Sequence, residues 1–215
     1  MPRSGVRVPP DPYFIHGWGF SSKVFYGFVG HKLDLPGHGK GNAEYKDFYD
    51  LATRIGLSLN RNSVLVGWSL GASLSMLIAL LFPQKVKRLI LIGATAYFGE
   101  CWDKKEIRGF FLRLKKEREA FLSEFRRRAY GEFQDSVSLD VLEAMLKDYV
   151  ELDLRKHLPY IRAEVYLLHG SYDPIVPIRC MLSLYNLLKD AKLYTFPGGH
   201  FPAGYEYIVH KILKS

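Results

Sequence analysis

In "GWSLG", Ser69 stands two residues after Gly67 and two before Gly71, between the apolar lead "NSVLV" and the apolar stretch "LSMLIALLF". A tight strand-to-helix turn needs that spacing: the serine backbone is strained, and side chains at the two flanking positions would strike neighbouring chain. The turn would lift Ser69 Oγ above the carboxyl ends of the strands and aim the Leu70 N–H at an anion beside a helix N-terminus. A plainer reading is that Ser69 only caps the helix. A serine hydroxyl is a poor nucleophile near neutral pH and needs a base, itself oriented by a carboxylate. Asp173 in "LLHGSYDPIVP" and His200 in "YTFPGGHFP" each follow an apolar run later in the chain, so both belong at the same sheet edge as Ser69. The chemistry such a set performs is acyl transfer through a covalent intermediate. Its oxyanion needs two donors, and the glycine-rich "HGWGFSS" after the first apolar run offers the Trp18 N–H beside that of Leu70. Asp34 and Asp153 are reserve acids; His16, His38, His169 and His210 read as loop or core hydrogen-bonding residues.

To hold these residues together, short apolar runs must alternate with longer helical patterns, as in a parallel sheet with crossover helices. Strands are placed at 13–17, 31–35, 63–67, 88–93, 164–170 and 192–198, and helices at 47–59, 70–82 and 178–190. The class is α/β, a mostly parallel sheet of about six strands with helices on both faces. Residues 99–152 interrupt the alternation. There, Ile107, Phe110, Phe111, Leu114, Phe121, Leu122 and Phe125 share one helical stripe, and a second amphipathic pattern follows from Ser138 or Asp140, giving a small helical cap. The chain then reads as one domain over 1–215 with that cap inserted. The start, "SGVRVPPDP", has no periodicity and reads as an extended or disordered lead.

With 215 residues, one core of ordinary size is affordable. No apolar run approaches the roughly 18 residues of a membrane span, because Leu74–Phe82 contains Ser75 and stops at Pro83. "MPRSGVRVPPDP" lacks the apolar segment of a secretory signal. Two cysteines, Cys101 and Cys180, with no metal-ligand spacing, fit reduced thiols in a cytoplasmic protein and suggest no metal site. The net charge of +8 is local: residues 104–128 hold ten Lys and Arg against four Glu, a net of +6. No nucleic-acid motif accompanies it, and the nearby aromatics fall on the apolar stripe.

The segments "HGWG", "LDLPGHG", "VGWSLGAS", "FPQKVKRLILIG" and "DLRKHLPYIRAEVYLLHGSYDPIVP" followed by "GGH" resemble the α/β-hydrolase family over most of the chain. Within it they look most like the esterases that remove the methyl ester of pimeloyl-acyl-carrier protein in biotin synthesis. That resemblance implies a Ser69–His200–Asp173 triad, an oxyanion hole from Trp18 and Leu70, no cofactor, and Trp68 lining the acyl pocket. The stripe residues Phe110, Phe111, Phe121 and Phe125 could line it too. It also implies an acidic acyl-carrier protein as partner, with Arg113, Arg118, Arg126, Arg127 and Arg128 available to dock it. The alternatives are a small-ester carboxylesterase or thioesterase that uses no carrier, and a non-catalytic binding module. The absent amino-terminal hairpin, the short segment between "HGWG" and "DLPGHG" and the small cap depart from the family pattern.

Overall fold

The computed structural model describes residues 11–215; most of the lead expected to be extended or disordered lies outside them. Six strands form one sheet, β1 Tyr13–Ile15, β2 His31–Leu33, β3 Ser63–Trp68, β4 Val86–Ile92, β5 Glu164–Gly170 and β6 Lys192–Phe196. Every pairing is parallel, in the order β2-β1-β3-β4-β5-β6. The central strands are near-continuous apolar runs because a parallel sheet covered on both faces buries side chains of both parities. Val64, Leu65 and Val66 of β3 and Leu89 to Ile92 of β4 are accordingly buried.

Between the strands run α1 Phe48–Ser58, capped by the Asp47 side chain on the Asp50 N–H, then α2 Leu70–Leu81 and, after β5, α6 Ile178–Leu187. These three connect strand steps taken in one direction across the sheet, and right-handed crossovers place them on one face. The step from β1 to β2 runs the other way and is made by only a four-residue 3-10 turn, Ser22–Phe25. The terminal helix α7, Tyr205–Lys214, covers that second face, where Tyr205 and His210 pack on Phe28.

Three helices lie between β4 and β5: α3 Lys104–Lys116, α4 Arg118–Ala129 and α5 Leu139–Glu151. The apolar stripe read across residues 107–125 is therefore two helices, because Glu117 leaves helical geometry at φ −123° and ψ 24°. The stripe is rebuilt across the break by Phe110 against Phe121, edge to face at 5.5 Å. Asp103 and Glu106 form a capping box that starts α3. Cys101 and Cys180, expected as separate reduced thiols, are paired as a disulfide with Cα atoms 5.9 Å apart. Residues 79 positions apart in sequence meet because the chain leaving β4 passes over α6, a proximity that spacing cannot reveal. Free thiols therefore no longer argue for a reducing compartment. Among the described residues no helix is long and apolar enough to cross a membrane.

Candidate active site

The strand register decides where the chemistry-bearing residues emerge. Gly67 pairs with Ile15 of β1, and Trp68 with Ile92 of β4, so Ser69 is the first residue beyond the carboxyl edge of the sheet. Its backbone sits at φ 56°, ψ −120°, a strained conformation for a residue with a Cβ, held by its N–H donating to the Ile92 carbonyl at 2.8 Å. The side chain makes no cap hydrogen bond to α2, so capping does not account for the serine. A Cβ on Gly71 would overlap the Ile15 carbonyl, and one on Gly67 would overlap the Gly71 carbonyl. The two glycines are what let the helix start against the strands.

His200, one loop beyond β6, is buried with its Nδ1 2.7 Å from Asp173 Oδ2. The other Asp173 oxygen accepts the N–H groups of Ile175 and Val176, both at 2.8 Å. Burial pushes the Asp173 carboxyl upward, but the His200 ring, by charge and hydrogen bond, and those two N–H groups outweigh it and hold it below the ordinary carboxylate range. His200 Nε2 is buried with no partner among the described residues. The ring lies over Gly93, just past the Ile92 that anchors Ser69. The reserve acids are spent elsewhere: Asp34 accepts the Ser22 and Lys40 N–H groups, and Asp153 pairs with Arg155.

The loop after β1 is set by two histidines. His16 Nε2 accepts the Leu35 N–H at 3.0 Å and His38 Nε2 accepts the Gly19 N–H at 3.1 Å. In each, Nδ1 faces a carbonyl, Gly17 or Pro36, which fixes the tautomer with the proton on Nδ1. Burial above all lowers their pKa values, to about 4 for His16 and about 3 for His38, so both are neutral near pH 7 and can accept those bonds. Gly17 lies against Ser69, since a Cβ there would come 3.2 Å from the Ser69 Cβ. Among the described residues, neither the Trp18 nor the Leu70 N–H has a backbone acceptor outside helices and strands.

Above Ser69 lies a cavity of about 20 Å³ open to water-sized groups, room for about one water or methyl. Trp18, Phe110, Phe111 and Phe125 line it, as do Tyr149 and Ile175, which the sequence reading did not single out; none of its lining side chains is charged. Two expected wall residues lie elsewhere. Trp68 is fully buried because strand alternation turns it away from the cavity: its Nε1 donates to the His200 carbonyl at 3.0 Å and its ring packs on Phe20 and Phe201. It supports the histidine loop. Phe121 faces a wider neighbouring depression of about 370 Å³, which shares Phe110, Phe125 and Ile175 with the inner cavity and carries Arg113 and Arg128.

The five arginines also separate. Arg126 is turned inward, its guanidinium donating to the Gly19 carbonyl at 2.7 Å and the Asp135 carbonyl at 3.1 Å, so it ties α4 to the loop beside Ser69 and is not a docking group. Arg113 pairs with Glu117 and Glu124; Arg118 and Arg127 lie 3.5 Å and 3.8 Å from Asp140 and Glu132. Arg128 reaches the Pro174 carbonyl at 3.4 Å, next to Asp173. Among the described residues no group of three His, Cys, Asp or Glu side chains could hold a metal ion.

A family model described as "Alpha/beta hydrolase family" matches residues 13–205. The chain belongs to that family. As a member it is a hydrolase, and its six parallel strands, with the strained serine between β3 and α2, fit the fold. Curated relatives include the pimeloyl-[acyl-carrier protein] methyl ester esterases of Wigglesworthia glossinidia brevipalpis, 30% identical over 82% of each chain, and of Pseudoalteromonas atlantica, 29% identical over 92% of this chain and 90% of that one. Among solved structures, a lipase-esterase related protein from Clostridium acetobutylicum superposes with a TM-score of 0.79 at 17% identity, covering 97% of this chain and 95% of that one. An esterase from Exiguobacterium antarcticum does so at 0.75 and 21%, covering 97% and 94%. At those identities the two structures speak for the fold alone.

Proposed function

We propose that the protein is a serine carboxylesterase that removes the methyl ester from a pimeloyl chain carried on acyl-carrier protein. The observation that carries this reading is Ser69 at the floor of an uncharged cavity, with His200 and Asp173 hydrogen-bonded to each other at the same sheet edge. The names of the curated relatives supply the substrate. Ser69 Oγ attacks the ester carbonyl carbon as His200 Nε2 takes its proton, and the Trp18 and Leu70 N–H groups hold the resulting oxyanion. Collapse breaks the bond to the methoxy oxygen, which leaves as methanol with the proton from His200. Water, deprotonated by the same nitrogen, then attacks the acyl-enzyme and frees the acid and Ser69. Helices α3 to α5 act as a cap over the site, and cytoplasmic carrier protein meets it there.

The methyl-sized, uncharged cavity at Ser69 suits the methyl ester end, and the wider depression that shares Phe110, Phe125 and Ile175 with it, lined also by Arg113, Arg128, Glu106 and Glu124, suits the rest of the chain on its way to the carrier. Carrier docking belongs to the exposed arginines. Reversing Arg118, Arg127 and Arg128 to Glu should lower kcat/KM for pimeloyl-carrier methyl ester by about 10- to 100-fold, mostly through binding, with under about twofold change for a free short-chain methyl ester. Equal losses on both substrates, or none on either, would contradict the carrier reading. Arg126 is left intact because its reversal would bury an unpaired charge against the Gly19 loop.

A further inference from the structure

Two buried polar side chains near the site have no part in this mechanism: His169, whose ring nitrogens have no hydrogen-bond partner among the described residues although Nε2 lies 3.9 Å from Asp173 Oδ2, and Tyr149, which lines the cavity itself. Tyr149, in the last turn of α5, is 4% exposed, and its hydroxyl is buried with no hydrogen-bond partner among the described residues. The hydroxyls of Ser69 and Ser73 are its polar neighbours, neither in hydrogen-bonding geometry. The ring lines the cavity above Ser69 and is held there on every side. It stacks on Phe98 at 4.8 Å, and Tyr45 donates its hydroxyl hydrogen bond to the adjacent Asp148. Two turns earlier, the Leu142 carbonyl accepts Trp18 Nε1–H at 2.8 Å, which fixes α5 over the loop beside the serine. Burial above all raises the phenol pKa, so the group stays a neutral donor throughout the working pH range.

A buried donor without a protein acceptor is costly, and a ligand that brings an acceptor to it recovers that cost. An ester at Ser69 brings two oxygens. The carbonyl oxygen is served by the Trp18 and Leu70 N–H groups; Tyr149 approaches from the flank of α2 that carries Ser73, whose hydroxyl lies 3.4 Å from the Thr95 carbonyl beyond β4. Resting on the reading of Ser69 as nucleophile, we propose that the Tyr149 hydroxyl donates a hydrogen bond to the alkoxy oxygen of the bound ester, so that the site selects oxygen esters over thioesters. Sulfur is a weak acceptor, and a thioester leaves the buried phenol unsatisfied. The proton that leaves with the alcohol still comes from His200; Tyr149 keeps its own. The choice matters for an acyl chain held on a carrier, where a thioester and an oxygen ester occur in one molecule.

Tyr149→Phe removes the hydroxyl and keeps the ring against Phe98, so the melting temperature should stay within about 2 °C, since the hydroxyl makes no protein hydrogen bond of normal geometry. Its kcat/KM for methyl butyrate should fall by about 10- to 100-fold. For S-methyl thiobutyrate the change should be under about threefold, collapsing the ester-to-thioester ratio. Equal losses on both substrates would overturn the proposal, assigning the hydroxyl to Ser69 or the oxyanion, and so would no loss on either. Ser69→Ala, measured beside it, should abolish both activities. If it does not, the nucleophile assignment is what has failed, and the role of Tyr149 falls with it.

Discussion

Ser69→Ala should lower kcat for ester hydrolysis by roughly 10⁵- to 10⁶-fold, because the remaining histidine and oxyanion donors cannot replace the covalent step. The fold should survive. The Ser69 hydroxyl makes no cap hydrogen bond, so its removal strips nothing from α2. Alanine at φ 56° carries the same backbone strain as serine, whereas glycine does not. Ser69→Gly should therefore be equally inactive yet more stable than Ser69→Ala by about 1 kcal/mol. Paired kinetic and thermal-melt measurements separate the two effects: strain stored at the serine predicts inactivity in both variants and extra stability only with glycine.

Asp173→Asn is expected to cost about 10⁴-fold in kcat with little change in KM. The geometry leaves the amide no freedom. Oδ1 of Asp173 accepts two N–H groups, from Ile175 and Val176, while Oδ2 faces His200 Nδ1. An asparagine must keep its oxygen toward those two donors, so its NH₂ faces the ring. Nδ1 then has to accept, the ring proton moves to Nε2, and the histidine cannot take the proton of Ser69. Stability carries a matching pH signature. Because the folded Asp173 carboxyl lies below its unfolded value, its contribution is present above the ordinary carboxylate pKa and is lost as pH falls through the depressed folded pKa. The stability gap between wild type and Asp173→Asn should therefore be widest at neutral pH and close in acid, which denaturant titrations across pH 2–7 would detect. A gap that widened in acid would mean the carboxylate is not held by the contacts described.

How much of this was legible in the sequence depended on whether a local pattern encoded it. The sheet was, because the apolar runs of β3, β4 and β5 and the periodicity of α1, α2 and α6 are local. Ser69 stood out because its glycines and its strand-before, helix-after context fall in consecutive residues. What depended on distant contacts was hidden. Nothing in "RRR" distinguishes Arg126, which turns inward to the Gly19 carbonyl, from Arg127 and Arg128, which stay outside. Trp68 reads as a neighbour of the pocket until strand alternation turns it beneath the His200 loop. The amphipathic pattern of α5 contained Tyr149, but a tyrosine on an apolar helix face carries no sign that its hydroxyl will end beside Ser69. The Cys101–Cys180 pairing and the break at Glu117 belong to the same class, set by where the chain returns in space.

Everything above turns on Ser69 being a nucleophile activated by His200 and Asp173. Mass spectrometry of the protein after treatment with a fluorophosphonate tests it most directly. One adduct per chain is expected, located on the peptide that carries Ser69 and all but absent when His200 is replaced by alanine. An adduct on another residue, or undiminished labelling of the His200→Ala protein, would contradict it.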